Sequence, residues 1–134
     1  MKRLTAIIET AVDNYSAYIE GVDGVVATGK TLDEIKTNLI DAVDFYVEGC
    51  RETGCDIPDD LSGDFEIEFK MDVKSLLDFY SGIFTKAGLE RITGINQKQL
   101  WHYANGKTKP RQAQKQKIEN AIHSLGSELL RIHL

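Results

Sequence analysis

The stretch TKAGLERITGINQKQLWHYANGKTKPR, Thr85 to Arg111, decides how the chain is read: a short helix, a glycine turn, a second helix and a basic loop. Gly94 closes the first helix at a sharp turn, where a residue without a Cβ takes positive φ at little cost. Ile95 then enters the core, and Asn96 stands at an N-cap position with Gln99 three residues on to reach back. The helix Gln97 to Ala104 turns Leu100, Tyr103 and Ala104 inward, at spacings of three and four. That leaves Gln97, Lys98, Trp101 and His102 facing outward, and the first turn of such a helix is the part that enters a DNA major groove. Asn105-Gly106 ends it in a left-handed turn, and Lys107, Lys109 and Arg111 follow where phosphates would run. Two short helices joined by a turn also occur in all-α domains that bind no DNA, so the motif has to be weighed with the charge around it.

That charge is unevenly placed. The 134 residues carry a formal net charge of -5, but residues 1 to 80 hold 18 acidic and 7 basic side chains and residues 81 to 134 hold 3 acidic and 9 basic. A basic C-terminal half is the electrostatic footprint of a polyanion binder, whereas an acidic N-terminal half is repelled by the same polyanion and suits a basic protein. No stretch is apolar and long enough to span a bilayer, and Met1-Lys2-Arg3 is not followed by a signal-peptide core, so a cytoplasmic protein is expected. Cys50 and Cys55 form neither a CxxC redox pair nor a zinc ligand set, and are expected to be small buried or half-buried side chains.

From the N-terminus, Leu4 to Val12 is an apolar, β-branched run ending in the turn Asp13-Asn14. Tyr15 to Glu20 alternates Tyr15, Ala17 and Ile19 against Ser16, Tyr18 and Glu20, the period of a strand buried on one face. Val25 to Gly29 makes a third strand, and the three neighbours should form an antiparallel meander. Thr31-Leu32-Asp33-Glu34 is a capping box, and Leu32, Ile35, Leu39, Val43, Tyr46 and Cys50 recur behind it as one apolar stripe. A helix is therefore expected from Leu32 toward Thr53, stopped by Gly54 and packed on one face of the sheet. Phe65-Glu66-Ile67-Glu68-Phe69 alternates as a fourth strand, giving the order β-β-β-α-β.

After Met71 the period becomes helical. Asp72 is an N-cap, and Val73, Leu76, Leu77, Tyr80, Ile83 and Phe84 mark a helix leading into the opening stretch. The sequence thus divides into residues 1–71 and 72–134, with a junction too poor in Gly, Ser and Pro to be a loose tether. Beyond Pro110 a basic helix carries Ile118, Ala121, Ile122 and Leu125, and Gly126 is expected to separate it from Leu129, Leu130, Ile132 and Leu134. That apolar tail either forms a seam between copies of the chain or packs back over the preceding helices.

With these elements in place, the N-terminal 70 residues resemble the HicB antitoxin family in the order of elements. Further likeness lies in the turn at Asp13-Asn14-Tyr15, the helix entry Gly29-Lys30-Thr31-Leu32-Asp33-Glu34, and Ile57-Pro58. Thr93-Gly94-Ile95-Asn96, Tyr103-Ala104-Asn105-Gly106-Lys107 and Lys109-Pro110-Arg111 resemble the helix-turn-helix of Xre/Cro-type repressors, which a subset of HicB proteins carries. The resemblance implies an α+β chain with a partial RNase H-like N-terminal domain that binds and blocks a small basic mRNA-cleaving toxin, HicA. It implies a C-terminal all-α helix-turn-helix domain, acting as a homodimer or higher homo-oligomer, that represses the operon by binding operator DNA. By matching positions, Gln97, Lys98 and His102 stand where bases are read, and Asn96, Gln99, Lys107, Lys109 and Arg111 where phosphates are held. Glu90 departs from the pattern: four residues before the turn glycine a small residue is usual, and a carboxylate there needs outward rotation or a partner such as Arg91 or Lys86.

For the toxin-facing domain the residues point only to acidic turns, with Glu20 and Asp23 as candidates. An RNase H-like fold also invites a nuclease reading through Glu9, Glu20 and Asp41 or Asp44 around Mg²⁺. Carboxylates on strands and exposed helix faces ordinarily serve solvation and fold likeness does not transfer chemistry, so no catalytic residue, metal or cofactor is expected. His123 and His133 lie on the terminal helical segments and are given no catalytic role. The alternative function is a free-standing repressor whose N-terminal domain senses a small molecule; a neighbouring gene for a short basic protein separates the two readings.

Overall fold

Alternating burial builds the first three strands. In the computed structural model, which describes residues 1–134, β1 (Lys2–Thr10) buries Leu4, Ala6 and Ile8 and leaves the residues between them more open. It pairs antiparallel with β2 (Tyr15–Ile19), which pairs antiparallel with β3 (Val26–Gly29). Ile8 faces Ala17, which faces Ala27, so the buried residues of the three strands share one side. β4 (Phe65–Lys70) returns beside β1 in parallel, with Leu4 opposite Ile67 and Ala6 opposite Phe69, and the sheet order is β3-β2-β1-β4.

Helix α1 (Leu32–Thr53) packs over β3 and β2 on that side, burying Ile35, Leu39, Val43 and Cys50 while Leu32 and Tyr46 stay half-buried. Its entry is over-determined. Thr31 Oγ1 accepts the Glu34 N–H at 3.1 Å, and the Glu34 carboxylate reaches back to the Lys30 N–H at 2.8 Å. Gly29 must lack a side chain here, since a Cβ would come within 3.0 Å of Glu34 and Ile35. Asn38 then ties the helix to the Thr28 carbonyl at 2.8 Å. At the far end Gly54 takes φ 76°, and its N–H joins that of Cys55 on the Cys50 carbonyl.

The cysteines depart from expectation. Cys50 is buried, but Cys55 is exposed and the two are joined as a disulfide across the end of α1. The helix stop itself brings them together, because the left-handed Gly54 folds Cys55 back over the last turn. Their sequence spacing alone carries no such signal.

The chain divides into two compact units, Met1–Asp72 and Val73–Leu134. The second contains α2 (Val73–Phe79), α3 (Lys86–Thr93), α4 (Gln97–Ala104) and α5 (Gln112–Leu129). Val73, Leu77, Leu89, Ile95, Leu100, Tyr103 and Ile118 form its core, with Leu76, Phe84, Ile92 and Ala104 packed around them. With one mixed four-stranded sheet and five α-helices, the protein is α+β. No helix is long and apolar enough to cross a membrane.

Two helix boundaries differ from the sequence reading. α2 stops at Phe79 instead of running to Phe84, because Ser81-Gly82 breaks it; the Tyr80 carbonyl takes the N–H groups of Ile83 and Phe84 in a turn. Phe84 thereby rejoins the core, 5.9 Å from the Tyr80 ring, while Ile83 is left 72% exposed. α5 in turn runs unbroken through Gly126. One glycine inside a helix costs about 1 kcal/mol relative to alanine, and helical bonds on both sides, such as Leu130 N–H to the Gly126 carbonyl at 3.1 Å, carry it. Leu129, Leu130, Ile132 and Leu134 are all exposed, so the tail does not fold back over the helices before it.

Candidate nucleic-acid interface

The turn between α3 and α4 is fixed by three local devices. Gly94 takes φ 77° and sends its N–H to the Glu90 carbonyl at 2.8 Å. The Thr93 hydroxyl donates to the Leu89 carbonyl at 2.6 Å and accepts the Ile95 N–H at 3.1 Å, which seats Ile95 in the core. Asn96 Oδ1 accepts the Gln99 N–H at 2.8 Å, capping α4. Leu100 and Tyr103 are buried and Ala104 is half-buried, so the opposite side of α4 is turned to solvent.

Glu90 is the second cap. Its carboxylate accepts the Gln97 N–H at 3.3 Å and the Gln97 Nε2 at 3.5 Å, so its partner is the start of α4, not Arg91 or Lys86. A carboxylate beside a helix N-terminus is favoured by the helix dipole, which is how this half-buried side chain fits between two closely joined helices. With Nε2 turned to Glu90, Gln97 has its Oε1 left as an outward acceptor.

The other candidate residues lie along α4 and in the loop that follows it. Gln97 and Lys98 are exposed and His102 is half-buried, its carbonyl accepting the Lys107 N–H of the following loop at 3.0 Å. Asn96 is exposed with its Oδ1 engaged, and Gln99 is half-buried. Lys107, Lys109 and Arg111 are exposed, and none of them, nor Lys98, pairs with a carboxylate of the chain. Arg111 is also the N-cap residue of α5, its carbonyl accepting the N–H groups of Gln114 and Lys115 at 3.0 Å, so its backbone is held in place.

Two further residues stand in this region: Lys74, of which the sequence gives no sign, and Trp101, which its period turns outward without a role. Lys74 of α2 lays its stem against Gly106, whose φ is 73° and whose absent Cβ would stand 3.2 Å from the Lys74 Cδ and Cε. Only tertiary structure brings that cation to the loop. Trp101 is 53% exposed, with its ring centroid 5.6 Å from that of His102, and presents a flat apolar surface to solvent. Its outward position follows from the helical period.

Of the acidic candidates, Glu20 and Asp23 are exposed at the turn after β2, and the Glu20 N–H is bound to the Thr5 carbonyl at 2.8 Å. Glu9 projects from the sheet face opposite α1, whereas Asp41 and Asp44 lie on α1 itself, so these carboxylates do not converge. No three His, Cys, Asp or Glu side chains come together as metal ligands anywhere in the structure. No family model matches the chain, and no curated protein or solved structure is significantly similar to it.

Proposed function

We propose that the chain is the antitoxin of a type II toxin-antitoxin pair: its acidic unit binds and neutralises a HicA-type mRNA interferase, and its helical unit represses the shared operon as a homodimer or higher homo-oligomer. One observation carries the DNA half of this reading. A doubly capped helix start presents Gln97 and Lys98 to solvent, and the loop that follows the same helix exposes Lys107, Lys109 and Arg111, which no carboxylate neutralises. In this reading α3 and α4 are a helix-turn-helix, the start of α4 enters the major groove, and the cations hold phosphates on either side. The outward Oε1 of Gln97 then accepts from an exocyclic amino group, N6 of adenine or N4 of cytosine.

The toxin half is supported by the resemblance to HicB and by the fold of the first unit. Its antiparallel meander, followed by a helix and a fourth strand returning parallel to the first, suits a partial RNase H-like domain. The exposed residues Leu129, Leu130, Ile132 and Leu134 support the homo-oligomer. Co-expression with the short basic protein of a neighbouring gene, followed by co-purification and a gel shift on the upstream DNA, tests both halves. Retention of that protein and a shift of the upstream fragment are expected. A shift without retention leaves a free-standing repressor with a ligand-sensing N-terminal unit.

A further inference from the structure

An exposed aromatic side chain on a charged helix needs an explanation, and α1 has one. Phe45 is 83% exposed, although α1 fills its inward stripe without it. By helical spacing its neighbours on the outer face are Asp41 and Glu48, with Glu52 one turn further, all exposed. One turn along the same ridge stands Gly49, also exposed, and a Cβ added there would meet nothing within 4 Å. Glycine inside a helix is destabilising and here serves no packing in the chain itself. A projecting ring beside a missing side chain is a knob next to a hole.

We infer that the Phe45–Gly49 ridge of α1, rimmed by Asp41, Glu48 and Glu52, is the docking surface for a basic protein; this rests on the antitoxin reading. Charge selects the occupant. The unit Met1–Asp72 holds 17 acidic and 6 basic side chains, and of the carboxylates on this rim only Glu48 has an ion-pair partner, Arg51 at 3.7 Å. Phe45 enters an apolar socket on the partner, a partner side chain settles over Gly49, and the carboxylates face lysines and arginines around them. Aromatic anchors ringed by polar contacts are where interfaces concentrate their binding energy. A second copy offering its basic unit to this face would join head to tail into rings or open chains, whereas a separate basic protein closes the complex at one copy of each.

The test uses the full chain and the basic protein of the neighbouring gene, with binding measured at two salt concentrations. Phe45→Ala is expected to weaken binding by about thirtyfold or more. Gly49→Leu is expected to raise the thermal midpoint, because leucine is the better helix former, and yet to weaken binding at least about tenfold. Opposite signs for stability and binding rule out misfolding as the cause. Binding by the unaltered chain should also fall as salt rises. If the unaltered chain does not bind, the antitoxin reading fails and takes this surface with it. If it binds and both variants bind equally well, the docking surface is wrong while the antitoxin reading stands. A self-association of the chain alone that Phe45→Ala abolishes would overturn the proposal in favour of a contact between copies.

Discussion

Each unit of the chain sets one aromatic ring in solvent on a helix, and the surroundings of the two rings are opposite in sign. Phe45 stands among Asp41, Glu48 and Glu52; Trp101 stands one helical turn from Lys98, in a unit with 10 basic and 4 acidic side chains. The helices beneath them are built differently. α1 is 22 residues long, capped at both ends and laid on a sheet, so its outer face can change without touching its support. α4 is 8 residues long, and its two N-terminal caps, Asn96 and Glu90, also position the residues that face outward. On the proposed reading, substitutions on the outer face of α1 should separate binding from stability, whereas at the start of α4 the two should be coupled.

The cores offer the largest effects. Leu39 in the first unit and Leu100 in the second are both fully buried, and replacing either with alanine should cost about 2–5 kcal/mol by creating a cavity. Trp101 is the one tryptophan in the chain, so the denaturant midpoint of its fluorescence reports the helical unit. Leu100→Ala should lower that midpoint strongly. An unmoved midpoint would mean that α4 is not held by the core described here.

Next in size is Gln97→Ala, which should weaken binding to the upstream operator by roughly 1–3 kcal/mol and relax preference at one base pair. A gel-shift series with each base pair substituted reads both quantities. Equal losses on operator and random DNA would remove Gln97 from the base-reading set. By contrast, Phe45→Ala should leave these titrations unchanged, because it lies in the other unit.

Much of this architecture was legible in the residues because it is set locally. Thr31 and Gly54 mark the ends of α1, the alternation of Tyr15 to Ile19 marks β2, and Gly94 and Asn96 mark the turn before α4. What was not legible depends on distant pairing or on competition between neighbours. The parallel return of β4 beside β1 joins segments some sixty residues apart. Lys74 reaches Gly106 only through the packing of α2. Gly126 looked like a break, but the helical bonds around it outweigh its propensity. Phe45 is a different kind of omission: it lies off the stripe of Ile35, Leu39 and Val43, and that spacing already places it outside.

Asn96→Ala tests the coupling at α4 on a smaller scale. Removing the side chain that accepts the Gln99 N–H should cost about 1 kcal/mol of stability, within the usual range of about 0.5–2 for a lost N-cap. The corresponding change at the start of α1, Thr31→Ala, removes a comparable bond to the Glu34 N–H and should cost about as much. The consequences for binding should differ. Thr31→Ala should leave DNA affinity alone, whereas Asn96→Ala should loosen the helix start that carries Gln97 and Lys98 and lower affinity for the operator more than for random DNA.

The smallest effect expected on stability is also the most discriminating. Glu90→Gln keeps an oxygen that can accept the Gln97 N–H but removes the negative charge beside the α4 N-terminus, at a cost of about 0.3–1 kcal/mol. On the proposed DNA-binding reading that charge should work in two directions at once. It repels phosphate, so losing it should raise affinity for any sequence a few-fold. It also orients Gln97 by accepting from its Nε2, so losing it frees the amide to turn and present its donor, blurring the preference for an amino group on the base. Glu90→Gln should therefore bind random DNA more tightly and the operator with less discrimination, measured by the ratio of the two affinities at one salt concentration. A ratio that stays constant while both affinities rise would reduce Glu90 to a matter of charge alone and take the orientation of Gln97 out of the recognition scheme.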